Sequence, residues 1–233
     1  MISKIRFLTL KIRRLLNIPD WKNLRQLTPI SDIFGLDRGT PIDRYYIEHF
    51  LERNRSYIQG HILEVGENTY TRKFGVSVQT SDILHYNASH RKANIIGDLT
   101  IPASLPQEKY NCFICTQTLN FIYDIHSAIE GIHYLLRQNG IALVTVAGIT
   151  QISKYDMERW GDYWRFSKQS ALKAFSKVFG EGNVQVASYG NVLSCVALLE
   201  GIACEELTRE ELDYTDEVYQ MVITINATKM GIK

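Results

Sequence analysis

The chain is poor in the features that usually declare a function. Four cysteines in 233 residues are too few for a disulfide framework. Two of them, Cys112 and Cys115, form a C-x-x-C, but the run around them is apolar and strand-like. No second pair stands at zinc spacing, so they read as small buried thiols of a reducing compartment, and no metal site is expected. Six histidines are scattered, and His85 and His90 fit no ligand spacing. Charge of one sign is also missing. A net charge of +1 gives no electrostatic ground for a nucleic-acid partner. No run approaches the ~20 apolar residues of a membrane span, and neither repeats nor low-complexity segments occur. The expected setting is the cytoplasm.

What is present is an ordinary globular composition, 45% hydrophobic and 22% charged, in a length that supports one large core plus an extension. Residues 1–33 read as that extension and its connector, and residues 34–233 as the domain. Within residues 1–18, Lys4, Arg6, Lys11, Arg13 and Arg14 are unopposed by any acid. Ile2, Ile5, Leu8, Ile12, Leu15 and Leu16 recur at helical spacing. Such a segment is a basic amphipathic helix on an anionic membrane surface, a helix docked on the domain, or an arm against a second subunit in a homodimer.

The domain is organised around residues 61–75. Ile62, Leu63 and Val65 make a short buried strand, Gly66 breaks it, and 69–74 begins a helix. A strand that turns at glycine into a helix N-terminus is where open α/β sheets hold nucleotides. Upstream, a helix is predicted over 42–57. The pairs Asp37/Arg38 and Asp43/Arg44 around its start are either a solvated helix start or a lid over the ligand. Downstream, strands are predicted over 76–80, 94–97, 110–116 and 141–147, with a helix from Asp124 to about 138. This alternation argues for a doubly wound, mostly parallel sheet. Asp82, read at the tip of the second strand, suits a ribose diol. Asp98 after the third suits an exocyclic amine, with Leu99 against the base.

Residues 155–166 pack five aromatics and five charges into a stretch that suits a polar pocket better than a core. A helix over 169–179, a strand over 184–187, a buried helix over 192–203, a capping box at Thr208 and a last strand over 220–227 complete the reading.

In this order the landmarks resemble a class I S-adenosylmethionine-dependent methyltransferase. The resemblance rests on Glu64, Val65 and Gly66, on Asp82, on Asp98 and Leu99, on the Thr-Gln-Thr-Leu of 116–119, and on the Leu-Leu-Arg-Gln-Asn-Gly of 135–140. The Asp-Tyr-Trp-Arg-Phe-Ser of 162–167 resembles a segment found in a subset associated with surface-glycan biosynthesis. The resemblance implies a Rossmann-like α/β fold of seven strands, order 3-2-1-4-5-7-6, with strand 7 antiparallel.

It also implies S-adenosylmethionine as cofactor. Glu64, Gly66, Asn68 and Tyr70 would hold the methionine end, Asp82 and Ile83 the ribose and adenine, Asp98 and Leu99 the adenine, and Thr116 and Gln117 the region of the sulfonium. Asn68 replaces a glycine of the family and is expected to take its unusual backbone angles. Residues 34–58, 150–170 and 190–215 would be the cap helix and the acceptor-side elements.

The implied acceptor is a sugar hydroxyl of a glycan or its precursor. Asp156, Asp162, Tyr155 and His126, in falling order, are the candidate bases. Arg159 and Arg165 suit an acidic acceptor, and Trp160, Tyr163 and Trp164 offer flat faces. Arg44 and Tyr45 are expected on the substrate side. A small-metabolite O- or N-methyltransferase, or a non-catalytic partner subunit of the same fold, remain as alternatives.

Overall fold

A computed structural model describes residues 22–231, so the expectations for residues 1–18 lie outside the described residues. Seven strands form one sheet: β1 (Gly60–Val65), β2 (Val78–His85), β3 (Ile95–Ile96), β4 (Tyr110–Thr116), β5 (Leu136–Ala147), β6 (Val184–Tyr189) and β7 (Val222–Thr228). The order is β3-β2-β1-β4-β5-β7-β6. Every pairing from β3 to β5 is parallel, and β7 runs antiparallel to both β5 and β6.

The period-2 pattern of β4 explains the two-layered cover. Phe113 and Cys115 point into one core, with Ile129 and Ile132 of α3 (Ile125–Leu135) and Phe175 of α5 (Lys168–Phe179). Cys112 and Ile114 point into the other. There they meet Ile42, Tyr46 and Phe50 of α1 (Ile42–Arg53), Phe74 of α2 (Thr69–Phe74) and Leu198 of α6 (Val192–Glu200). α4 (Lys154–Trp160) and α7 (Arg209–Asp213) are short additions outside this sandwich.

Local chemistry sets the helix starts. Asp124 accepts from the Ser127 N–H at α3, and Ser167, Asn191 and Thr208 cap α5, α6 and α7 the same way. α1 stops at Arg53 rather than 57, and α3 stops at Leu135, where the chain turns directly into β5. Two expectations need larger corrections. β2 starts later and runs on to His85, so Asp82 lies inside the strand, opposite Leu63, and not at its tip. The helix expected over 192–203 as buried ends at Glu200 and buries only Ser194, Cys195, Ala197 and Leu198. Both sheet cysteines are buried and free, as read from the sequence.

Candidate active site

The strand order reverses between β1 and β4, and a ligand crevice is expected there, beyond the strands' carboxyl ends. A cavity of about 500 Å³ occupies that place. Its floor is Val65 and Gly66 at the end of β1, Leu84 to Tyr86 at the end of β2, Gly97 to Thr100 after β3, and Thr118 and 121–123 after β4. Its outer wall is α4 and the segment just beyond it, through Asp156, Arg159, Trp160 and Tyr163.

Gly66 has φ +79, and a Cβ built on it would meet nothing within 4 Å, so this glycine leaves the crevice open where the chain turns. Asn68 has φ −113, an ordinary angle for any residue. The expected glycine-like turn at 68 is therefore not needed, and its amide instead donates to Ser81 Oγ at 3.1 Å. Glu64 is buried and turns away from the cavity. Its carboxylate accepts from the N–H groups of Tyr70 (3.1 Å) and Thr71 (2.8 Å) and from the Thr71 hydroxyl (2.7 Å), serving the orphan donors of α2. Burial pushes the Glu64 carboxyl above its ordinary value, against the pull of those donors. Tyr70 stacks on Phe74 in the second core.

Asp98 and Leu99 line the cavity. The Asp98 Oδ1 accepts from Thr100 N–H and Oγ1, both at 2.8 Å, which leaves Oδ2 without a partner among the described residues. Gly131 lets α3 approach the Leu99 carbonyl, because a Cβ there would sit only 2.0 Å from it. Asp82 is different. It is 8% exposed and held by Asn94 (2.7 Å), Lys109 (2.8 Å) and Tyr110 (2.9 Å). Burial alone pushes its carboxyl up, but these three donors reverse that and hold it below the ordinary aspartate value. Asp82 and the mid-strand Ile83 do not line the cavity. The β2 tip there carries His85 and Tyr86, which sequence reasoning missed because the strand was ended too early.

Thr116 and Gln117 lie behind Thr118 rather than in the wall. Gln117 has φ +48, a left-handed angle rare outside glycine, and its N–H donates to the Thr145 carbonyl at 2.8 Å. Next along, Asn120 is buried. Its carbonyl accepts from the N–H groups of Tyr163 (2.9 Å) and Trp164 (3.2 Å), while its Oδ1 has no partner among the described residues.

The 148–167 strap closes over this floor. The Asp162 side chain is 1% exposed and takes both oxygens of its carboxylate to Arg165, at 2.5 and 3.0 Å. Arg165 also donates to the carbonyls of Thr150 and Gln151. This pair ties the two ends of the strap together, so neither the base assigned to Asp162 nor the acceptor contact assigned to Arg165 is free to act. Trp164 likewise donates to the Tyr123 carbonyl, at 3.2 Å, and does not line the cavity.

Four strap residues do line it. The Asp156 Oδ2 accepts from Ser153 at 2.6 Å, and its Oδ1 has no partner among the described residues. Arg159 lies 3.5 Å from the Tyr155 ring centroid and meets no carboxylate among the described residues. Trp160 packs edge-on against Tyr86 (4.8 Å) and His85 (5.7 Å), and Tyr163 against Tyr123 (5.5 Å).

Tyr155 itself points to solvent. His126 pairs with Glu130 on the outside of α3, 3.4 Å away. Tyr45 donates to Asp213, Arg44 is exposed on α1, and no residue of 37–45 lines this cavity, so of the two readings of the helix start the solvated end fits and the lid does not. Nor does any residue of 190–215 line it.

No family model and no curated protein matches the chain. Solved structures do. A methyltransferase from Mesorhizobium loti superposes with a TM-score of 0.53 at 15% identity, over 83% of this chain and 100% of that one. One from Archaeoglobus fulgidus gives 0.50 at 11% identity, over 80% and 94%. The fold is that of the S-adenosylmethionine-dependent methyltransferases. A cyclase, SpnF, shares this methyltransferase fold with a TM-score of 0.53 at 15% identity, over 88% and 87% of the two chains. Likeness at this level thus speaks for the architecture, and the chemistry has to be argued from the site.

Proposed function

We propose that the chain transfers a methyl group from S-adenosylmethionine to a hydroxyl of a glycan or glycan precursor. The observation that carries this reading is the cavity at the reversal of strand order, which unites Gly66, Asp98 and Leu99 with a wall of Asp156, Arg159, Trp160 and Tyr163. The first three fit the cofactor. Gly66 leaves room for it beside the backbone, Asp98 Oδ2 is an acceptor for an exocyclic amine, and Leu99 is an apolar floor for the base. The bound cofactor supplies an electrophilic methyl group whose in-line displacement needs positioning above all.

The chain's own residues then deal with the acceptor. Trp160 and Tyr163 give flat faces to a sugar ring, and the Arg159 guanidinium, which donates to the Tyr155 carbonyl but meets no carboxylate among the described residues, suits an acid or phosphate on it. Asp156 takes the hydroxyl proton, since it is the one candidate base that lines the cavity with a free oxygen. The strap, tied by Asp162 and Arg165, holds these groups over the floor.

A second reading, a partner subunit without cofactor, is favoured by the withdrawal of Asp82 into the sheet. Titration calorimetry with S-adenosylhomocysteine separates the two. Binding that Gly66→Val removes is expected, and no binding by the wild-type chain at millimolar ligand overturns the enzyme reading. The acceptor is then sought in a panel of glycan precursors, as the one that gains the mass of a methylene.

A further inference from the structure

The exposed side of α6 is apolar. Val192, Leu193, Val196 and Leu199 are 53%, 45%, 37% and 41% exposed, and their spacing places them on one face of the helix. A contiguous apolar stripe of this kind is uncommon on a bare surface. The next stretch of chain carries charge mostly of one sign. Between 200 and 217 stand Glu200, Glu205, Glu206, Glu210, Glu211, Asp213, Asp216 and Glu217, with Arg209 as the cation within the stretch, while Glu206 pairs with Arg38 and Glu217 with Lys168 from outside it.

This acidic stretch leaves the C-terminus of α6 and returns to its N-terminus. There Asn191 donates to the carbonyls of Glu211 and Tyr214, both at 2.7 Å. At the other end Glu200 Oε2 is buried with no partner among the described residues.

We propose that residues 1–18 of the same chain cover α6. Their composition is the complement of this surface. Plotted at helical pitch, Ile5, Leu8, Ile12 and Leu15 form a stripe, with Lys4 and Lys11 along one edge and Arg6 and Arg13 along the other. The connection is short as well. The Ser31 N–H donates to the Glu200 carbonyl at 3.0 Å, so the chain soon after Lys22 is already fixed at the C-terminus of α6. An acidic border disfavours an anionic membrane as the occupant and favours a basic helix.

Hydrogen exchange and carbodiimide cross-linking on the full chain test this. In wild type, Lys4 or Lys11 is expected to link to Glu210, Glu211 or Asp213 within one chain. Leu8→Glu with Ile12→Glu should lose the links and let the α6 amides exchange roughly tenfold faster. Val196→Glu, at an exposed site, should do the same from the other side. The proposal is overturned if links are absent and exchange is unchanged. It is equally overturned if links form only between labelled and unlabelled chains in a mixed sample, which assigns the face to a second copy. Protection of α6 that appears only with anionic vesicles would assign it to a membrane and overturn it too.

Discussion

Asp82 shows how one residue's neighbours decide its role. An aspartate with three donors, one of them cationic, spends its acceptor capacity on the protein and has little left for a ligand. Its folded-state pKa lies below the unfolded value of about 3.9. The ionised form therefore contributes stability that is present above that unfolded value and is lost as pH falls through the lower, folded one. Asp82→Asn should cost about 1–3 kcal/mol at neutral pH, read by urea denaturation, with the difference from wild type shrinking below about pH 4. Its affinity for S-adenosylhomocysteine should stay nearly unchanged. A variant that keeps its stability and loses the ligand would restore the ribose role.

Asn120 is the opposite case, a buried acceptor with no partner among the described residues. Such a group costs stability unless something other than the protein uses it. Asn120→Leu should raise stability by about 1 kcal/mol, read by urea denaturation. A loss of stability instead would show that the amide is satisfied in solution.

At the scale of elements, the strap divides its labour between holding and reacting. Asp162→Asn removes the charge that both Arg165 nitrogens meet and leaves a guanidinium short of a partner, so it should loosen the strap and lower both activity and proteolytic resistance near 150–165. Asp156→Asn keeps the fold and the bond from Ser153, yet should lower kcat by about 10²–10⁴-fold with S-adenosylhomocysteine affinity intact. A parallel loss of ligand binding would make Asp156 a cofactor contact instead.

Elements were also where the sequence was most and least readable. β1, β4 and the caps at Asp124, Ser167 and Thr208 were legible because buried strands are continuous apolar runs and caps are short local signals. β2 was not. Its first three residues are exposed and its middle is Ser81-Asp82, so the polar pair looked like a turn although the strand continues through Ile83 and Leu84. The tip residues His85 and Tyr86 were missed for that reason. The Asp162–Arg165 pair was misassigned because its partners, the carbonyls of Thr150 and Gln151, come from the other end of the strap, and no local pattern announces that closure.

For the molecule as a whole, β4 is the natural reporter. It lies between β1 and β5, and its two thiols face opposite cores. Burial pushes the Cys115 thiol up to about 12, partly offset by Thr118, and pushes Cys112 up as well. Neither is a thiolate at neutral pH, and neither is accessible, so both should react with a disulfide reagent only when the sheet opens. Their labelling then measures global unfolding, and Cys204, only partly buried beside Pro41, should label earlier through local opening.

A ligand that binds only the folded chain slows such labelling by mass action. At a hundred times its Kd, S-adenosylhomocysteine should add about 2.7 kcal/mol, which slows the β4 thiols roughly a hundredfold when reclosing outpaces labelling. Mass spectrometry of the labelled peptides reads both strand positions at once. If β4 labelling is unmoved while an unrelated nucleoside is equally silent, the crevice holds no cofactor and the chain keeps the architecture without the reaction.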